Sequence, residues 1–412
     1  MPIVSRIFAA LCVLGMTTTA YAGEGAIHPS IAVSEEFNDN VFDTSTSRVS
    51  DYITHVLPGV TANYDAQAFK GDLNYTFDYR YYAKNSREHD RTHTIQANGH
   101  LTAVENLLFL DVNDQYQRVS LDVTRDLTNE TLFANQSDRN VVSAAPYITL
   151  RPGQRTTVKT GYRYVDTRYF NLSGESAGFN KTNHVGYLEI SHELSQRWTL
   201  KAGYTFTREE SIAGNFNQHQ GFGGFRYEYA DKSFLFAEAG NTWTLFESGQ
   251  RLNNIYWNAG LSHTFDTVTA TASTGVSYDE DPLSNIIKNT VASGSVEKRL
   301  HNGSVRLSLA YNEYTLTSSD TLQTRKYSGT IGGTYEFTSH LAGNLAFTAE
   351  KYEQLLLHSY TRRLLVDSGL SYLLAEGLTL ALNYNYVDLY SPGIATDNRH
   401  INRVTLEIRK VF

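Results

Sequence analysis

"RVTLEIRKVF", residues 403–412, ends the sequence. Val404, Leu406, Ile408 and Phe412 share one parity, and Arg403, Thr405, Glu407 and Arg409 share the other. Period-2 alternation of this kind reads as a strand with one apolar face. A strand at a terminus frays unless another segment holds it, so this stretch requires a partner strand elsewhere in the chain.

The same alternation recurs upstream. In "KYSGTIGGTYEF" (326–337), Tyr327, Gly329, Ile331, Gly333, Tyr335 and Phe337 make one face, and Lys326, Ser328, Thr330, Gly332, Thr334 and Glu336 the other. "LTLALNYNY" (378–386) and "LNYTFDYRY" (73–81) repeat the pattern. The i, i+3, i+4 stripe of an amphipathic helix is missing from all three. The first face suits lipid and the second suits water.

Composition narrows the class. The 412 residues include 28 Tyr and 20 Phe but only 7 Pro, and the net charge is −8. A modestly acidic chain is a poor nucleic-acid binder. After the N-terminal segment no run of 18 apolar residues occurs, so no transmembrane helix is expected. A membrane β-barrel also looks hydrophilic overall, because only every second residue faces lipid. At the N-terminus, Arg6, the apolar run "IFAALCVLGM" and Ala20-Tyr21-Ala22 read as a signal peptide over 1–22, leaving one domain over 23–412. The one cysteine, Cys12, lies inside that run after Leu11, which disfavours a lipoprotein anchor. The mature chain therefore uses neither disulfides nor thiolate metal sites.

Turn signals fall near Asp65, Asn106, Gly153, Ser195, Asp231, Asp266, Asn302, Ser339 and Glu376, the last five 35 to 37 residues apart. Longer polar loops lie between them, as at 38–50, 122–138, 171–180 and 391–398. Short turns at one end and long loops at the other describe an outer-membrane barrel with its turns in the periplasm. The fold expected is all-β: a closed antiparallel barrel of about 20 strands, with 18 to 22 as the range. Segments of about 14 residues are too long for an ordinary soluble sandwich or propeller. They also exceed the roughly 9–11 residues that cross lipid, so the barrel should project beyond the membrane.

Closure explains the ending. An unpaired sheet edge in lipid costs several kcal/mol per backbone group, so the last strand should pair with the first, near 27–33. Phe412 should then sit at the periplasmic rim. Val404, Leu406, Ile408 and Phe412 resemble the C-terminal signal that outer-membrane assembly machinery reads. Lys410 departs from that pattern, two residues before the end, but a lysine near the rim can snorkel.

Chemistry-bearing motifs are weak. "GESAG" (174–178) fits G-x-S-x-G, but Ser176 lies in a loop with no helix after it, whereas the nucleophile elbow needs a strand-to-helix turn. "HELSQ" (192–196) lacks the second His of H-E-x-x-H. Asp279-Glu280-Asp281 and the pair Asp39/Asp43 are acidic enough to attract Ca²⁺, but they have no EF-hand spacing and read as solvated loops. No catalytic residue, cofactor or metal is expected.

The inward parity carries both charges. It holds Asp78, Arg80, Asp111, Lys159, Arg163 and Lys201, then Arg226, Glu228, Arg306, Glu336, Arg363 and Asp367, with Glu297, Arg299, Glu407 and Arg409 beside them. Neutral polar groups such as Asn74, Asn98, Asn113, Gln115, Asn258 and Asn383 share that face, together with Tyr147. A barrel of 16–18 strands already encloses a channel, so these residues are expected to line a lumen. Part of the set can equally form structural pairs across strands. A loop folding inward, 122–138, is the expected constriction.

"HPSIAVSEEFNDNVF" (28–42), "SDYITHVLPGVTANYD" (50–65) and "YRYYAKN" (79–85) resemble a family of Gram-negative barrels associated with PEP-CTERM/exosortase systems and exopolysaccharide gene clusters. The resemblance covers most of the barrel and is most specific from Pro29 to Asn85. It implies an outer-membrane role connected with polysaccharide secretion and supplies no catalytic residues. The function expected is a porin-like conduit for exopolysaccharide export. A general diffusion porin, a structural or adhesive surface barrel and an outer-membrane hydrolase are the alternatives. The partners expected are outer-membrane lipid and lipopolysaccharide, the assembly machinery, and the exopolysaccharide with its export partners.

Overall fold

A computed structural model describes residues 23–120, 136–170, 178–212, 214–280, 286–317, 319, 321–392 and 398–412. The signal-peptide expectation over 1–22 lies outside these residues. So do the inward-folding loop, apart from Gln136–Asp138 at the start of a strand, and Ser176 of the G-x-S-x-G match.

Twenty strands form one antiparallel sheet. They are β1 (Glu24–Asn38), β2 (Asp51–Asp65), β3 (Phe69–Tyr82), β4 (Asp90–Val104), β5 (Leu108–Ser120), β6 (Gln136–Leu150), β7 (Thr156–Phe170), β8 (Lys181–Glu193), β9 (Trp198–Ser211) and β10 (Phe216–Ala230). The second half comprises β11 (Ser233–Phe246), β12 (Arg251–Phe265), β13 (Val268–Glu280), β14 (Ile286–Leu300), β15 (Gly303–Leu316), β16 (Thr321–Glu336), β17 (Leu341–Gln354), β18 (Ser359–Ala375), β19 (Leu378–Tyr390) and β20 (Arg399–Val411). Each strand pairs with the next, and β20 pairs with β1 from Ser30↔Val411 to Asn38↔Arg403, which closes the cylinder as the last ten residues demanded. The Phe412 N–H donates to the Pro29 carbonyl at 2.9 Å, and Lys410 Nζ donates to the Glu376 carbonyl at 2.8 Å.

All nine expected turns fall at one end, the tightest being 231–232, 266–267, 301–302 and 376–377. Lys232 and Asp266 take left-handed φ there, as two-residue hairpins require. Gly377 is needed at φ +65°, because a Cβ would lie 2.5 Å from the Val411 carbonyl. The alternation of loop length holds only in part. Connections 39–50, 121–135, 171–180 and 391–398 are long, whereas 212–215, 247–250, 317–320 and 355–358 are as short as several turns. The long loops all belong to the contiguous arc from β19 through β1 to β8.

The outward parity is apolar. Ile31, Val33, Leu261, Leu307, Ile331, Leu345, Leu382, Leu406 and Ile408 are each more than 40% exposed. Aromatic side chains flank this band. Trp198, Phe265, Tyr335, Phe337, Tyr372 and Phe412 stand toward the turn end, and Tyr52, Tyr81, Trp243, Tyr327 and Tyr390 toward the loop end. An apolar belt with two aromatic girdles is the exterior of a barrel embedded in a bilayer.

Two seams open toward the loop end. β4 and β5 part above Ile95↔Tyr116, and Arg118 fills the gap, donating to Asp90 and to Asp138 at 2.8 Å each. β12 and β13 part above Asn258↔Gly275, although the strands run on to Arg251 and Glu280. Uncharged contacts hold this second seam. The Trp257 indole N–H donates to Thr274 Oγ1 at 3.4 Å, and the Tyr278 hydroxyl to the Ile255 carbonyl at 3.0 Å.

Candidate channel interior

The pairing register carries one consistent inward face around the whole barrel. It passes from His55 to Arg80, Asp90 and so on through Glu350↔Arg363 and Asp367↔Asn385 to Glu407↔Ser34. Asp78, Arg80, Asp111, Lys159, Arg163, Lys201, Arg226, Glu228, Arg306, Glu336, Arg363 and Asp367 all lie on it. Val404, Leu406, Ile408 and Phe412 lie on the opposite, outward face.

The interior is graded along the barrel axis. On β3, Asp72 and Asn74 are exposed near the turn, Asp78 and Arg80 are half-buried, and Tyr82 at the loop end is fully buried. The same gradient runs from Lys201 to Glu209 on β9, from Asn344 to Tyr352 on β17, and from Asn383 to Leu389 on β19. The turn end of the interior is open and the loop end is packed.

The inward charges divide with this gradient. At the packed end they are paired. Asp78 accepts from His55 at 2.9 Å and from Arg80 at 2.7 Å, and Glu36 lies 3.8 Å from His55. On β16 to β18, Glu350 forms ion pairs with Arg363 at 2.7 Å and Lys326 at 2.9 Å, and the Tyr352 hydroxyl donates to it at 2.8 Å. Beside this group an apolar cluster of Leu365, Val387, Leu389 and Ile401 also faces inward. Two long-loop carboxylates from the acidic pairs are likewise engaged: Asp39 accepts from Asn402, and Asp43 from Arg399. Among the described residues no group of three His, Cys, Asp or Glu gathers as a metal site, and His192 contacts Thr156 at 2.9 Å.

At the open end the two sides of the wall differ. From β5 to β12 the inward face carries rings beside cations. Phe109 stacks on Tyr147 with centroids 5.1 Å apart, and Lys159 Nζ sits 4.0 Å over the Tyr147 ring and 5.9 Å from that of Tyr187. Arg163 lies 5.8 Å from the Tyr187 ring, and neither Lys159 nor Arg163 makes an ion pair among the described residues. Farther round, Arg226 lies 3.5 Å over Phe234 while its Nε donates to Glu228 at 3.2 Å. Phe222 meets Tyr256 at 5.7 Å, and Glu238 accepts from Tyr256 and Asn258 with Lys201 3.9 Å away. From β13 to β17 the inward face carries no ring at the open end: Ser273 bonds Ser293 at 2.8 Å, Thr271 bonds Ser295 at 2.8 Å and Thr330 bonds Thr348 at 2.9 Å, and nearer the turns Glu297, Arg299, Arg306 and Glu336 share the face, Arg306 donating to Ser295 Oγ at 3.5 Å.

Sequence parity singled out Tyr147 alone among these rings. Phe109, Tyr187, Phe222, Phe234, Phe236 and Tyr256 escaped it, although each shares parity with a charged or amide neighbour such as Asp111, Glu189, Arg226, Glu238 or Asn258.

No family model and no curated protein matches the chain. Solved structures do. A variant of the ferric enterobactin receptor of Pseudomonas aeruginosa aligns with a TM-score of 0.57 at 10% identity, covering 94% of this chain and 80% of that one. The copper transporter OprC aligns at 0.55 and 11% identity, covering 95% and 83%. The FrpB iron transporter of Neisseria meningitidis aligns at 0.52 and 9%, covering 93% and 82%. At such identities the likeness concerns the fold: a large closed barrel of the Gram-negative outer-membrane type. With its lipid-facing exterior, the chain is an outer-membrane β-barrel.

Proposed function

We propose that this outer-membrane barrel is a non-enzymatic, porin-like conduit for exopolysaccharide export. The observation that carries the reading is the arc of inward rings and cations from Phe109 to Tyr256 in the open half of the interior. Aromatic faces contact the apolar faces of sugar rings, and amide and carboxylate groups such as Asn258 and Glu238 exchange hydrogen bonds with hydroxyls. Lys159 and Arg163 add a positive field suited to an acidic sugar chain. The opposite wall offers no ring at the open end, so a chain whose sugar faces are held on one side can move along it. The packed loop end is where passage is regulated. The likeness of residues 28–85 to barrels of exopolysaccharide clusters supports the same direction, and the C-terminal strand serves as the segment read by the assembly machinery.

Deleting the gene should trap polysaccharide in the periplasm and remove it from the medium. Unchanged extracellular polysaccharide with reduced uptake of small solutes would replace this reading with a general porin. Removing Phe412 should sharply lower the amount of folded, heat-modifiable barrel in the outer membrane, and normal amounts would refute the assembly-signal assignment.

A further inference from the structure

On the outward face, β14 to β19 enclose a shallow groove of about 970 Å³. Its floor is made by the small residues Gly294, Gly329 and Ala349, and Leu309, Tyr327 and Leu364 stand around them. The row directly above runs Tyr311, Tyr327, Lys351, Arg362 and Tyr390 across consecutive strands. Lys351 and Arg362 are therefore directly opposed. Like charges facing each other across a ladder are destabilising, and both also crowd the Tyr360 ring, at 5.3 and 5.2 Å. Lys351 has Glu353 at 2.6 Å, but Arg362 is exposed and makes no ion pair among the described residues. The next row up, Glu313, Arg325, Glu353 and Tyr360, contains its own counter-charges, with Arg325 Nε 3.2 Å from Glu313. One carboxylate, Asp388, also lines the groove, on the neighbouring strand and diagonal to Arg362, so Lys351 and Arg362 face each other with the counter-charges Glu353 above and Asp388 below them. From Leu341 to Lys351, β17 climbs about 25 Å at about 3.3 Å per residue and about 40° of tilt, which is the height of the apolar band. The two cations stand at the outer lipid–water interface with a trough for hydrocarbon beneath them.

We infer that this groove binds one phosphate-bearing glycolipid of the outer leaflet, its phosphate between Lys351 and Arg362 and an acyl chain over Gly329 and Ala349. An anion shared by the two side chains removes their repulsion, and the missing side chains at 294 and 329 make room for the chain. The binding is separate from conduction, which the interior face governs.

The purified barrel should be reconstituted in nanodiscs containing lipid A or its dephosphorylated form, transferred to detergent, and weighed intact by native mass spectrometry. Wild type should retain one lipid A, and the dephosphorylated form at least tenfold less. The double variant Lys351→Gln/Arg362→Gln should lose at least tenfold in retention. Gly329→Phe, which fills the trough and leaves the cations in place, should also lose retention; a Cβ there meets only the flexible tip of Leu309, at 3.3 Å. The heat-modifiable form of each variant reports folding, and Arg362→Gln alone serves if the double variant folds poorly. Equal retention of both lipids, full retention by the charge variant, or displacement of lipid A by millimolar inorganic phosphate would each overturn the assignment.

Discussion

The wall from β5 to β12 and the wall from β13 to β17 face the same water and meet the same lipid, yet they are built differently inside. The first presents Tyr147, Tyr187, Phe222, Phe234 and Tyr256 with Lys159, Arg163 and Arg226 beside them. The second presents no ring at the open end but a hydroxyl lattice of Ser273, Ser293, Ser295, Thr330 and Thr348, with Glu297, Arg299, Arg306 and Glu336 nearer the turns. Outside, both obey one rule, because lipid accepts only apolar groups over the band. Inside, water accepts either solution, so the difference between the walls has a cause other than folding. A ring-bearing surface facing a ringless one suits the sliding polymer of the proposed function.

The largest effect should come where the ringless wall rises into the packed loop end. Glu350→Ala strands Arg363 and Lys326 without their shared carboxylate, and breaking a buried pair costs about 3–5 kcal/mol. Denaturant titration of the heat-modifiable form should report that loss. The next largest concerns the aromatic wall. Lys159→Glu/Arg163→Glu should move ion selectivity in planar bilayers strongly toward cations with the barrel still folded, because Arg163 is exposed, Lys159 is half-buried and neither makes an ion pair among the described residues. Reversal at Arg80 or Arg363 should lower the folded fraction instead, and a clean selectivity change there would erase the distinction between packed and open charges. Tyr147→Ala/Tyr256→Ala should shorten the blockade of single-channel current by acidic oligosaccharides about tenfold, since each ring contact contributes about 0.5–1.5 kcal/mol. The smallest effect belongs to the hydroxyl wall. Ser273→Ala/Ser293→Ala removes one cross-strand hydrogen bond, costs under about 1 kcal/mol, and should leave the blockade unaltered. A blockade shortened by this variant would mean that the two walls share the cargo.

The outward half of the fold was legible in the sequence because the bilayer imposes a single demand at a fixed period. Tyr327, Ile331 and Tyr335 declare their side without reference to any other strand, and Asp266 and Asn302 mark turns by local backbone preference. Closure followed from Val404, Leu406 and Ile408, since lipid forbids an edge. The inward half was legible only to the level of parity. That Arg80 and Asp111 face inward follows from alternation; that Arg80 is locked to Asp78 at the packed end, while Lys159 rests on a ring at the open end, depends on register and height between strands, which alternation does not contain. Of the two roles that parity allowed for Arg363, lumen charge and cross-strand pair, its burial against Glu350 fits the pair. Val387, Leu389 and Ile401 were hidden for a related reason. An apolar residue with inward parity looks like an error in the pattern until a packed end gives it a place.

The β12–β13 seam gives the cylinder an uneven resistance to load. A tube under lateral tension carries the pull as hoop stress, equal at every joint, and fails at the joint with the fewest fasteners. The ladder between these two strands runs only from Asn258 to Phe265, and beyond it, among the described residues, an indole and a phenol reach from one edge to the other. The other weak joint is riveted by Arg118 between two carboxylates. Pulled apart, this barrel unrolls from the loop end of β12, and the tear travels downward to Gly275 before any complete ladder is strained.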